Sequence, residues 1–177
     1  MICFNDYFNR KNLYCFNNCW IICAPACLVW TGLTHLDQWP DWFHGLEKIQ
    51  PSAPIAFLQR GQTIELSIRG HLPYSLKFEI IVNDFIEYSF VSFTVTGDLN
   101  GEGFCQLLPS EKGSTIHFTW NVSPARLWMK MGASIARTVF IKNHDQIVEH
   151  SINGFKQWIS EKSIEVALPG AVGLGRF

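Results

Sequence analysis

From Thr63 to Val122 the chain alternates apolar and polar residues in short runs separated by turn formers, and few folds accommodate that pattern. Ile64, Leu66 and Ile68 share one face of a strand over Thr63–Arg69, with Thr63, Glu65, Ser67 and Arg69 on the other. Gly70–Pro73 turns the chain into Tyr74–Val82, where Tyr74, Leu76, Phe78, Ile80 and Val82 alternate with polar residues. Asn83-Asp84 reads as a further turn before a long β-branched strand over Ile86–Thr96. Gly97–Gly101 leads to Gly103–Pro109, and Lys112-Gly113 leads to Ser114–Val122, where Ile116, Phe118, Trp120 and Val122 alternate again. Loops this short join antiparallel neighbours, so the segment is a meander.

The chain before and after the meander is different. Tyr14–Cys23 reads as a first strand, Cys27–Leu36 as a short helix, and Asp37–Leu46 as a second with Pro40 in its first turn. Ser123-Pro124 offers a helix start, and the apolar pattern then runs to Trp158 or Ile159, with Gly132 a place for a bend. The expected organisation is an N-terminal extension over 1–12, one domain over 13–160 and a tail over 161–177.

At 177 residues the chain suits a single domain. Hydrophobic residues make up 47% and charged residues 16%, so an ordered core is expected. Fourteen basic against fifteen acidic side chains leave no electrostatic footprint for nucleic acid. Asn12–Leu36 carries no charged residue, but Asn17, Asn18 and Pro25 interrupt it, so neither stable membrane insertion nor secretion is favoured. A cytoplasmic protein is expected. Cys15, Cys19, Cys23 and Cys27 recur every fourth residue without an answering pair, so no metal is expected and the thiols read as small packed side chains. Cys15, Cys19 and Cys23 share one strand face.

The C-terminal helix sorts into two faces. Lys142, Asp145, Gln146, Glu149, His150, Asn153, Lys156 and Gln157 form a solvated one, and Phe140, Ile141, Ile147, Val148, Ile152, Phe155 and Trp158 an apolar one. Arg137, His144 and Ser151, spaced by sevens, fall within the apolar arc. A polar group there needs a partner or costs about 1–3 kcal/mol. Either the protein supplies it, as a backbone carbonyl for His144 and Glu79 or Asp98 for Arg137, or the row faces a cavity and meets the polar end of a ligand.

Trp20-x4-Pro25-x3-Val29-Trp30, Trp39-Pro40-x-Trp42, Gly97-Asp98-Leu99-x-Gly101 and Arg137-x2-Phe140-x2-Asn143-His144 follow one another in this order. In that order they resemble the polyketide cyclase/dehydrase and lipid-transport family of the START-related superfamily, which includes the birch pollen allergen fold. The resemblance runs from about Tyr14 to Ile159. It implies an α+β helix-grip fold: a curved antiparallel sheet of about seven strands wrapped around a long C-terminal helix, with two short helices between strands 1 and 2. It also implies a hydrophobic cavity that takes lipids, polyketides or similar molecules. It fixes no catalytic residue and no cofactor.

An empty pocket of ~300 Å³ would cost of order 7 kcal/mol, comparable with the whole stability of a domain. Such an interior is therefore filled by aromatic side chains, by water or by a guest. Three functions remain open. The first is binding or transport of a small hydrophobic ligand against Tyr74, Phe78, Phe118 and Trp120, with Trp39 and Trp42 at the mouth and Arg137 or His144 on its polar group. The second is a cyclase/aromatase-type enzyme with His144 as acid/base and Arg137 on an enolate oxygen. The third is an interaction protein with a collapsed pocket, whose strand edges support a homodimer.

Overall fold

The computed structural model describes residues 13–52, 58–125 and 133–167, with side chains of the last segment described over 137–164. Seven strands form a single curved antiparallel sheet: β1 Tyr14–Ile22, β2 Leu46–Pro51, β3 Thr63–Ile68, β4 Leu76–Ile86, β5 Phe90–Gly97, β6 Leu99–Ser110 and β7 Gly113–Pro124. Their order is β1-β7-β6-β5-β4-β3-β2, so β1 and β2 are the edges. Helix α1 (Ala26–Thr34), a 3-10 turn (Leu36–Gln38) and the one-turn helix α2 (Trp39–Trp42) join β1 to β2, and α3 spans Ala133–Ala167.

Strand alternation decides which side chains enter the core. Ile64, Leu66, Leu76, Phe78, Val82, Ile116 and Val122 are buried, while Glu65, Lys77, Glu79 and His117 are exposed. Ser67 is buried on the polar side because its hydroxyl donates to Glu47 Oε2 on β2, at 3.1 Å. One core cluster lies under β3, β4 and β5 and takes in Phe140 and Ile147 of α3. A second gathers Ile22, Val29, Trp30 and Ile116 around Phe155, Trp158 and Ile159. Helix α3 spans both, with every residue of its expected solvated face exposed.

Close approaches fix where the helices sit. At Gly32 of α1 a methyl group would lie 2.6 Å from the Phe155 ring and 2.8 Å from Trp158. At Gly154 it would lie 2.6 Å from the carbonyl of Trp42. Between β5 and β6 the chain turns at Gly97, whose φ of +125° suits glycine. The next residue, Asp98, accepts the amide of Lys77 at 2.9 Å and ties the turn to β4.

Several boundaries differ from expectation. Strand β2 lies in a segment not read as a strand, and the expected second helix contracts to the 3-10 turn and α2. Asn83-Asp84 is no turn but part of β4, beside a register shift between Val82 and Asp84; the reversal comes at Glu87–Ser89, where Tyr88 has φ +62°. Pro124 ends β7 rather than opening a helix, and α3 continues to Ala167, past the expected start of the tail. The expected bend at Gly132 lies outside the described residues.

Candidate functional site

The sheet does not close onto α3. A cavity of about 250 Å³ lies between them, walled almost wholly by apolar side chains. Strands β3 and β4 contribute Ile64, Leu66, Ile68, Leu76, Phe78, Ile80 and Val82, and β7 contributes Ile116, Phe118 and Trp120. Trp39, Trp42 and Phe43 form the wall around α2, and α3 contributes Asn143, His144, Ile147, Ser151 and Phe155.

Of the residues singled out from sequence, Trp39, Trp42, Phe78, Phe118, Trp120 and His144 come together in this wall. Tyr74 and Arg137 are not part of it. Tyr74 is half-buried against the core, where burial, and secondarily Asp98, raises its phenol pKa. Arg137 is exposed, with its guanidinium 5.0 Å from the centre of the Tyr14 ring. The cation–π contact is with a buried, inward-facing ring of β1 and stands in place of the expected carboxylate partner. The sevenfold row on α3 therefore splits: Arg137 is at the surface, and His144 and Ser151 are inside.

His144 is only 6% exposed and sits over two cross-strand partners, Phe16 and Trp120. Its ring lies 3.5 Å from that of Phe16 and 5.7 Å from that of Trp120. Nδ1 is 3.2 Å from Asp145 Oδ1, so the partner is the neighbouring side chain rather than a backbone carbonyl. Burial pushes the imidazole pKa below its ordinary value, and Asp145 opposes the shift in part. At neutral pH the ring is uncharged. With Nδ1–H directed at Asp145, Nε2 is left as an acceptor, and it has no partner among the described residues. Trp120 Nε1 and Trp42 Nε1, both donors, are likewise buried and unpartnered.

Asn143 and Ser151 are also polar wall residues, and both are satisfied. Asn143 Oδ1 accepts the amides of His71 and Leu72, at 2.8 and 3.3 Å, and pins the Gly70–Pro73 turn to α3. Ser151 Oγ accepts the amide of His44 at 3.1 Å. Sequence reading assigned neither role, because both bonds join residues more than seventy positions apart. Cys105 and His144 are the wall's titratable groups among the described residues, and burial pushes the Cys105 thiol up to about 12.

The other cysteines overturn the expectation of packed thiols. Cys15, Cys19, Cys23 and Cys27 are free and exposed. Cys15 and Cys19 lie on the convex face of β1, away from the cavity, and Cys19 Sγ is 3.9 Å from His117 Nε2. No group of three or more metal-ligating side chains occurs among the described residues. Nor is any described helix long and apolar enough to cross a membrane.

No protein-family model and no curated protein matches the chain. Solved structures do. The ZhuI aromatase/cyclase from Streptomyces sp. R1128 superposes with a TM-score of 0.71 at 14% identity, covering 90% of this chain and 99% of its own. The fold is the helix grip. The di-domain aromatase/cyclase StfQ of the steffimycin biosynthetic pathway superposes at 0.67 and 11% identity, covering 87% of this chain and 53% of its own. Ara h 8.0201 does so at 0.57 and 9%, covering 84% and 99%. The helix-grip architecture expected from the START-related resemblance is thus present.

Proposed function

We propose that this helix-grip domain binds or transports a small hydrophobic molecule in the cavity between its sheet and α3. The observation that carries the reading is the void itself: about 250 Å³ with an almost entirely apolar wall. Left empty, it would cost of order 6 kcal/mol, and water would find few partners in it. An apolar guest removes both penalties. The two aromatase/cyclases that share the fold are consistent with a pocket of this kind.

The guest's polar end is assigned to His144 and Trp120. One offers an acceptor and the other a donor, both unpartnered among the described residues, so a hydroxyl group complements the pair. Phe78, Phe118, Trp39 and Trp42 contact its apolar body. Five free cysteines among the described residues suit a reducing compartment, and the cytoplasm is the proposed location.

Native mass spectrometry of gently purified protein, followed by tryptophan-fluorescence titration with apolar alcohols, tests this. A co-purified small molecule and saturable binding are expected. Binding of each alcohol should weaken about tenfold in His144→Phe, while binding of the matching hydrocarbon stays within a few-fold. Uniformly ligand-free spectra with no saturable binding would remove the reading.

The likeness to ZhuI favours a second reading, an enzyme of the cyclase/aromatase type. His144 is then its acid/base, since burial holds the Cys105 thiol protonated. Arg137, on the outer surface, takes no part. Loss of turnover in His144→Ala with retained ligand affinity would distinguish this enzyme from a carrier.

A further inference from the structure

The inward face of β6 includes Leu99, Gly103, Cys105 and Leu107, all buried, so its bulk falls away at mid-strand. A glycine inside a strand weakens it and marks either irregular backbone or a close approach. The backbone gives no reason for one at 103. Its φ lies outside the left-handed region, and the register is unbroken on both sides, with Phe93 of β5 opposite on one and Trp120 of β7 on the other. The close approach does give a reason. A methyl group at Gly103 would fall on the ring of Phe93, 2.9 Å from Cε1 and nearer still to Cε2 and Cζ. The Phe93 ring therefore lies down over β6, in the space that a side chain at 103 would take. From there it lines the cavity, 9% exposed, with the centre of the Phe118 ring 6.3 Å away.

We infer that Gly103 and Phe93 together determine how broad a guest the cavity admits. The inference rests on the proposed occupation of that cavity. Phe93, Gly103 and Trp120 are consecutive members of one row across the sheet, and Phe16, beneath His144, continues it. The row thus runs beside the donor and acceptor assigned to the guest's polar end. A side chain at 103 would lift the Phe93 ring off β6. The ring cannot pass through the sheet, and Phe118 stands beside it, so the space open to it is the cavity. A phenyl ring raised there narrows the cavity where the guest's body adjoins its hydroxyl. With glycine at 103 the ring lies low, and a body as broad as a fused ring fits above it. With alanine an unbranched chain still passes, and the broader body does not.

Tryptophan-fluorescence titrations with 1-adamantanol and 1-decanol test this, since the two carry equal numbers of carbons and differ in breadth. Gly103→Ala should weaken adamantanol binding about tenfold and leave decanol binding within about threefold. Phe93→Leu removes the Cε and Cζ carbons that the methyl would meet. It should shift preference toward adamantanol, and Gly103→Ala added to it should change neither affinity. The volume change of pressure unfolding needs no guest and scales with the void that unfolding eliminates. It should be smaller in Gly103→Ala than in wild type, and at least as large as wild type in the double variant. Equal weakening of both alcohols in Gly103→Ala, or unchanged affinities with an unchanged volume, would overturn the inference. Should Gly103→Ala fail to fold, an unchanged alcohol preference in Phe93→Leu would overturn it equally. If wild type binds neither alcohol while Gly103→Ala still shrinks the volume change, the occupied-cavity reading falls and the shaping role of the pair stands.

Discussion

The imidazole of His144 lies flat on the ring of Phe16, with centroids 3.5 Å apart and planes 14° from parallel. The stack brings the middle of α3 against edge strand β1 at the point where the cavity wall is polar. It favours the neutral ring, because burial disfavours the imidazolium. The His144 pKa in the folded protein lies below its ordinary value of 6.5, so between the two the unfolded chain binds a proton that the folded chain does not. Stability contributed by neutral His144 is complete above about pH 6.5 and is lost as pH falls through the depressed value. Urea midpoints measured from pH 7.5 down to 5 should show this acid limb. In His144→Phe, which keeps a flat ring on Phe16, the limb should be shallower than in the wild type.

Asn143 supports a long-range joint. Its single carbonyl oxygen serves two backbone donors of the turn before β4. Asn143→Leu keeps similar bulk but strands those amides, and about 2–3 kcal/mol of stability should be lost. Hydrogen exchange at His71 and Leu72 should accelerate well beyond the global change, because their acceptor is gone while the rest of the sheet persists.

Gly32 sets propensity against packing. Alanine is favoured over glycine in a helix by about 1 kcal/mol. The added methyl, however, would meet the ring carbons of Phe155 and Trp158 inside normal contact distance. Overpacking of this kind costs about 1–3 kcal/mol, so it should win. Gly32→Ala is therefore expected to lower the urea midpoint, with a perturbed near-ultraviolet tryptophan band reporting the shift of Trp158.

Much of this arrangement is legible in the sequence, and the failures have particular causes. Period two assigned the inward faces of β3 and β7, because each has one side that is apolar throughout apart from Ser114 at the start of β7. Strand β1 does not: Ile21 faces out and Asn18 faces in, so the pattern grouped Cys15 and Cys19 without deciding their side. Strand β2 was hidden by the charges and proline that mark a guarded edge. Asn83-Asp84 has turn chemistry but is used where the β4 register shifts. On α3 a 100° step correctly gathered the solvated face. It misplaced Arg137, which is exposed while its long side chain reaches back to the buried ring of Tyr14 near the start of the helix.

Cysteine reactivity offers an independent check on the walls. Cys15, Cys19, Cys23 and Cys27 are exposed, whereas the Cys105 thiol is buried and held protonated by a pKa near 12. The thiolate is the reacting form, so Cys105 should resist maleimide at pH 7.5 on the timescale that modifies Cys15, Cys19, Cys23 and Cys27. Mass spectrometry of labelled peptides should find Cys105 modified only when urea opens the fold. Prompt labelling of Cys105 in native protein would place it outside the wall described above.

The void itself can be filled. Ile80 lies on the inward face of β4, half-buried, with its side chain on the cavity. Enlarging a side chain in a packed core costs about 1–3 kcal/mol through displaced neighbours. Beside an empty space the sign reverses, since each ~40 Å³ of void removed returns about 1 kcal/mol. Ile80→Trp should therefore hold or raise the stability of ligand-free protein while abolishing saturable binding of apolar alcohols. In wild-type protein a bound alcohol should raise the melting temperature with concentration, as any ligand specific to the folded state does. In Ile80→Trp that dependence should vanish. A variant that loses stability yet still binds would mean that the indole has been forced outward and the cavity left open. Loss of binding with stability kept would show that the guest and the indole compete for one space.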